Sequence, residues 1–206
     1  MCRFIESIRI ANGEAQHLDG HQMRMNQTFR MAQKQNPHNL KSLAAEIDFP
    51  AQDIYKWRIV YDLLGHLDMQ ILPYQVAQLH RFSLMDGNHI AYGLKYEDRS
   101  DFEQLKKNIQ IDEVIIHQNG QITDTTFSNL IFQKGKAWFT PRTYLLNGVM
   151  RQFLLQAGRI QEATITIENL KTFTRFQLIN AMLPIHTNIY DIHIINGLDK
   201  IENQYR

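Results

Sequence analysis

The sequence predicts an α+β fold in two lobes. Strand-like and helix-like runs are mixed, without the regular β-α-β alternation of a doubly wound sheet. Hairpin turn signals recur at Asn12-Gly13, Asn119-Gly120 and Lys134-Gly135-Lys136. The strongest break in the chain, Asp86-Gly87-Asn88, sets a small lobe over 1–86 and a larger one over 87–206.

In the first lobe, Phe4 to Ile10 alternates imperfectly, turns at Asn12-Gly13 and returns through Glu14-Ala15-Gln16. From Asp19, a capping residue, the pattern becomes helical, with Met23, Phe29 and Met31 as its apolar face and Asn36-Pro37 as its stop. Asn39 or Ser42 starts a second helix that closes at Phe49-Pro50. Trp57–Tyr61, Met69–Tyr74 and Val76–Phe82 are strand-like and predict a three-stranded antiparallel meander.

In the second lobe, Asp98–Lys107 is a polar helix turning Phe102 and Leu105 inward. Glu113–His117 and Gln121–Thr123 flank one turn, and Leu130–Gln133 and Ala137–Thr140 flank another. After Asn147-Gly148 a helix carries Val149, Phe153, Leu154 and Leu155 on one side, with Gly158 as its stop. Ile165, Leu170 and Phe173 continue the core, and Phe176–Ile179 and Asp191–Ile195 finish as strands.

Composition narrows the function. A formal net charge of +1 gives no field favouring nucleic acid or an acidic membrane. The single cysteine, Cys2, excludes an internal disulfide framework and a multi-cysteine metal site. No apolar run approaches the ~18 residues of a membrane span, and MCRFIESIRI lacks a signal-peptide core, so a cytoplasmic protein is expected. The chain has no G-x-G fingerprint, phosphate-loop motif or G-x-S-x-G elbow. His17 and His21 are four apart, but without an H-E-x-x-H motif or a third ligand they read as structural or solvent-facing rather than as a zinc pair.

Four segments stand out in order: GHQMRMNQT (20–28), GLKYEDRSDFEQL (93–105), the run from NGQITDTTFSNLIF to LNGVMRQFLL (119–155), and INAMLPIH (179–186). Together they resemble the class IV aminotransferase family, which includes branched-chain and D-amino-acid aminotransferases and 4-amino-4-deoxychorismate lyase. The resemblance implies the family's two-lobed fold, here N-terminally shortened before FIESIRI, with pyridoxal 5′-phosphate (PLP) as cofactor and a homodimer as the assembly.

The resemblance also assigns residues. Lys95 falls where the family has its Schiff-base lysine; the chemistry needs an unprotonated amine in a shielded pocket, and Ala91-Tyr92-Gly93-Leu94 is an apolar approach. Asp124 stands where the family has a Glu facing the pyridine nitrogen, one methylene shorter; the alternative is a carboxylate serving a turn or strand end. Arg24 matches a phosphate-contacting arginine, although an exposed helix arginine reads similarly. Gly148-Val149-Met150 opens a helix whose backbone N–H groups would cradle the phosphate. Asn180 is a candidate cofactor or substrate contact, and Arg58 either holds a substrate carboxylate or faces outward. Thr123, Thr125, Thr126 and Ser128 crowd Asp124 and suit backbone hydrogen bonds as well as cofactor contact.

Two reactions remain open. One is a lyase converting 4-amino-4-deoxychorismate to 4-aminobenzoate and pyruvate; the other is an aminotransferase using the same lysine. NGVMRQF and NAMLPI resemble the lyase branch more closely. A PLP-binding protein with little turnover is the third reading.

Overall fold

The computed structural model describes residues 2–107 and 110–198. The chain divides into two compact units: Met1–Val76 with Leu94–Asp98, and Ala77–Gly93 with Arg99–Arg206.

The first unit is a four-stranded antiparallel sheet backed by two helices. Its strands are β1 (Arg3–Ala11), β2 (Glu14–Ala15), β3 (Ile54–Asp62) and β4 (Leu67–Pro73), in the order β2-β1-β3-β4. Alternation on β1 buries Phe4, Glu6, Ile8 and Ile10 and leaves the residues between them half-buried. Phe4, Ile8 and Ile10 pack with Trp57, Ile59 and Tyr61 of β3 and with Met25 and Phe29 of helix α1 (Leu18–Met31). Helix α2 (Leu40–Ala45) is capped by Asn39, whose side chain accepts the Ser42 N–H at 3.0 Å.

Helix α1 departs from the expected face. Its buried residues are His21, Arg24, Met25, Thr28 and Phe29, an i, i+3, i+4, i+7, i+8 stripe, while Met23 and Met31 are 60% and 62% exposed. Of the expected face, Phe29 lies on this stripe; Met23 and Met31 do not, because the stripe is mostly polar and serves a buried ion cluster. Asp19 lies in the first turn, and the cap position belongs to His17 in a left-handed conformation.

The expected meander has only two strands. Residues 76–81 form no strand because the Asp112 carboxylate accepts the N–H groups of His80 (2.7 Å) and Arg81 (3.0 Å), which a hairpin with β4 would otherwise use. Strand β5 (Phe82–Asp86) instead pairs parallel with β6 (Glu113–Gln118) in the second unit. The boundary set at 86/87 is therefore a turn inside the second unit, closed by Gly87 N–H to the His117 carbonyl. The division falls at 76/77, and the segment carrying Lys95 belongs with the first unit.

The second unit is built on a mixed sheet. After β6 come β7 (Gln121–Thr125), β8 (Asn129–Lys134), β9 (Ala137–Pro141) and β10 (Gln161–Ala163), followed by β11 (Arg175–Ile179), β12 (Ile189–Asp191) and β13 (Ile195–Asn196). The path runs β10-β9-β8-β7-β6-β5-β13, with β11 pairing β8 and β12. The stretch expected to be a strand at 191–195 contains a 3-10 turn over Ile192–Ile194, opened by the Asp191 side chain accepting the His193 N–H. Phe82, Ile115, Ile122, Leu130, Phe132, Ile165 and Phe176 form the core.

Helix α3 (Ser100–Leu105) buries Phe102 and Leu105 as expected. Helix α4 (Val149–Gln156) buries Val149, Met150, Arg151 and Leu154. Phe153, assigned to the inner face, is 47% exposed, because Met150 and Leu154 already fill the contact with Ile131, Ile160 and Ile179. Gly158 at φ +64° ends α4.

Candidate cofactor site

The first unit concentrates charge where its sheet is driest. Glu6 is fully buried among the apolar residues of β1, and α1 brings His21 and Arg24, one turn apart, against it. Arg24 donates Nε–H to Glu6 Oε1 at 2.8 Å and a second N–H to Oε2, a bidentate fork. His21 Nδ1 lies 2.6 Å from the same Oε2. Burial by itself would raise the Glu6 carboxyl, but the charge and hydrogen bond of Arg24, then those of His21, bring it down to about 2. Burial depresses His21, with Glu6 opposing that shift and Arg24 and Lys95 reinforcing it. The Nε2 of His21 is buried with no hydrogen-bond partner.

Lys95 is held by backbone. Its carbonyl accepts the Ile5 N–H at 2.9 Å, Glu97 N–H donates to the Arg3 carbonyl at 2.9 Å, and Phe4 bridges Tyr96. Residues 95–97 thereby extend the sheet beside β1, with Lys95 half-buried. Arg58, opposite Ser7, donates to Glu97 at 2.7 Å, and Glu97 also pairs with Arg3 at 3.0 Å.

In the second unit, Asp124 and the start of α4 form one constellation. Asp124 is 4% exposed. Its Oδ2 accepts the N–H groups of Leu145 (3.0 Å) and Leu146 (2.9 Å), and its Oδ1 accepts Asn129 Nδ2 at 2.7 Å. Burial raises this carboxyl to about 7, outweighing the three donors and the positive charge of Arg151. Gly148 follows at once as the cap of α4, in extended backbone. A Cβ there would overlap Asn129 Oδ1, so the residue is glycine for space. The first N–H groups of α4 have no acceptor within the helix, and the positive end of its dipole lies there.

This donor set fits PLP. A carboxylate has about four lone-pair positions and Asp124 receives three protein donors, which leaves capacity for a ring N–H. A helix start opened by a sterically required glycine suits phosphate.

Asn180, by contrast, holds its own loop: its side-chain oxygen accepts Met182 N–H (2.8 Å) and Leu183 N–H (3.0 Å). Thr123 donates across to the Ile116 carbonyl of β6 at 2.9 Å, and Thr125 and Ser128 bond each other within the turn at 2.8 Å. Thr126 donates its N–H to buried Glu113 at 2.9 Å. The sequence reading missed Glu6 and Asn129. Glu6 carries a usable signal, a lone charge at an inward position of an alternating strand; Asn129 has none before its fold is known. No group of three His, Cys, Asp or Glu suited to a metal occurs among the described residues, and no helix among them is long and apolar enough to cross a membrane.

Comparison with known proteins places the family. The model of the family described as amino-transferase class IV matches residues 91–187. An uncharacterized protein of Haemophilus influenzae is 35% identical over 186 residues, covering 88% of this chain and 98% of its own. The crystal structure of a candidate 4-amino-4-deoxychorismate lyase from Haemophilus somnus 129PT is 30% identical with a TM-score of 0.84, covering 90% of this chain and 98% of the other. A hypothetical aminotransferase from Mycobacterium tuberculosis, solved in a PLP-bound form, shares the fold at 14% identity and a TM-score of 0.73, covering 95% of this chain and 81% of its own. The chain belongs to the class IV aminotransferase family, whose members are PLP-dependent aminotransferases and lyases, and has that family's fold.

Proposed function

We propose that this protein binds PLP through Lys95 and acts as a lyase that converts 4-amino-4-deoxychorismate to 4-aminobenzoate and pyruvate. The observation that carries the cofactor part is the buried Asp124 carboxylate fixed beside the glycine-opened start of α4. The similarity at 30% identity, over nearly the whole of a candidate lyase of that substrate, supports the reaction.

When bound, PLP would supply an aldehyde for the substrate amine and an electron-withdrawing ring that acidifies the carbon bearing that amine. Asp124 has the task of keeping the ring nitrogen protonated. The backbone N–H groups of Gly148, Val149 and Met150 would hold the phosphate, while Arg24 commits its fork to Glu6. Lys95, whose backbone carbonyl accepts the Ile5 N–H, would carry the cofactor, and its amine, released by the substrate, would be the base for the carbon bearing the substrate amine. Loss of that proton would let the enolpyruvyl group depart with its C–O bonding pair and the ring aromatise, and return of the proton to the departing enolpyruvate would give pyruvate. Arg58 spends its charge on Glu97, and Asn180 shapes its own turn, so neither is given a part.

A paired assay tests the reaction. Incubation of the PLP-loaded protein with 4-amino-4-deoxychorismate should release equal amounts of pyruvate and 4-aminobenzoate, and Lys95→Ala should abolish both. Turnover only in a mixture of amino donor and keto acid would replace the lyase reading with the aminotransferase one.

A further inference from the structure

Asn129 links two parts of the second unit that the reaction needs aligned. Its Nδ2 donates to Asp124 Oδ1 at 2.7 Å and to the Leu146 carbonyl at 2.8 Å. The same Leu146 gives its N–H to Asp124 Oδ2 at 2.9 Å. Asp124, Asn129 and the Leu146 backbone thus close a ring of three hydrogen bonds. Asn129 is also the side chain that a Cβ on Gly148 would strike, so it abuts the start of α4. From the helix side, Arg151 donates to Asn147 Oδ1 at 3.1 Å and Gln152 to the Asn147 carbonyl at 3.0 Å. The 145–148 loop is therefore gripped from both directions, and Asn129 is 5% exposed.

We propose that Asn129 is a positioning residue that holds Asp124 as an ionised partner for the cofactor ring and fixes it in register with the phosphate-binding start of α4; this rests on the reading that Asp124 faces the pyridine nitrogen. A buried carboxylate is costly to ionise, and each donor aimed at it offsets part of that cost. The Leu145 and Leu146 N–H groups are supplied by backbone, which leaves Asn129 as the side-chain donor. Without it, Asp124 retains its proton to higher pH and the ring nitrogen loses its counter-charge. The one-methylene shortening from Glu to Asp gives the carboxylate less reach, which makes bracing from β8 more consequential.

The test uses PLP labelled with nitrogen-15 in the ring, added to the whole protein at constant pH, with ring protonation read by NMR and affinity by absorbance titration. Wild type should show a protonated ring nitrogen. Asn129→Ala should show a neutral one, and its PLP affinity should fall about 10- to 100-fold, the loss of one hydrogen bond to a charged group. Gly148→Ala keeps every hydrogen-bonding group but displaces Asn129 Oδ1, and should shift ring protonation the same way; it supplies the reading if Asn129→Ala does not fold. A protonated ring and affinity within about twofold of wild type in both variants would overturn the positioning role alone. A neutral ring in wild type would overturn the Asp124 reading together with it.

Discussion

Glu6 and Asp124 are both buried carboxylates, yet they couple stability to pH in opposite senses. Asp124 is raised from an ordinary 3.8 to about 7 by burial. Between those values the folded state keeps a proton that the unfolded chain has released, so this group's contribution is full below about pH 4 and is lost as pH rises to about 7. Thermal melts of the cofactor-free protein should carry this downward component, and Asp124→Asn should remove it. Glu6 lies at about 2 against an ordinary 4.5, so its contribution is present above pH 4.5 and is lost as pH falls towards 2. Glu6→Gln would leave the Arg24 guanidinium buried against a neutral amide. We expect a loss of about 3–5 kcal/mol in urea unfolding at neutral pH.

At the scale of elements, helix α1 shows where legibility ended. The sequence marked its position between Asn12-Gly13 and Asn36-Pro37, and Phe29 is inward as expected, but hydrophobicity also chose Met23 and Met31 for a face that the fold gives to His21, Arg24 and Thr28. Polarity in a sequence signals water only when no partner charge is buried nearby, and Glu6 is fifteen or more residues upstream of that stripe. The substitutions Met23→Lys and Met31→Lys should therefore change stability by less than about 0.5 kcal/mol. Met25→Ala, on the buried stripe, should cost about 2–5 kcal/mol in the same urea titration. Strand β5 failed to be read in its proper sheet for a related reason. The Asp112 side chain that occupies the backbone donors of His80 and Arg81 lies more than thirty residues away.

For the molecule as a whole, the α+β class and the family were legible, because the matching segments sit in order along most of the chain and carry turn chemistry that local residues fix. The division into units was not, since it requires knowing that 94–98 returns to β1 while 77–93 does not. Each unit has its own core and one tryptophan: Trp57 is fully buried in the first and Trp138 partly buried in the second. Trp57→Phe leaves Trp138 to report the second unit. PLP should raise the unfolding midpoint that Trp138 reports, as binding to the folded state alone requires. The central claim is that Lys95 carries the cofactor. Borohydride reduction of the PLP-loaded protein, followed by peptide mass spectrometry, should place the added mass on Lys95 within residues 82–99. Labelling spread over Lys106, Lys107 and other lysines, or none at all, would contradict it.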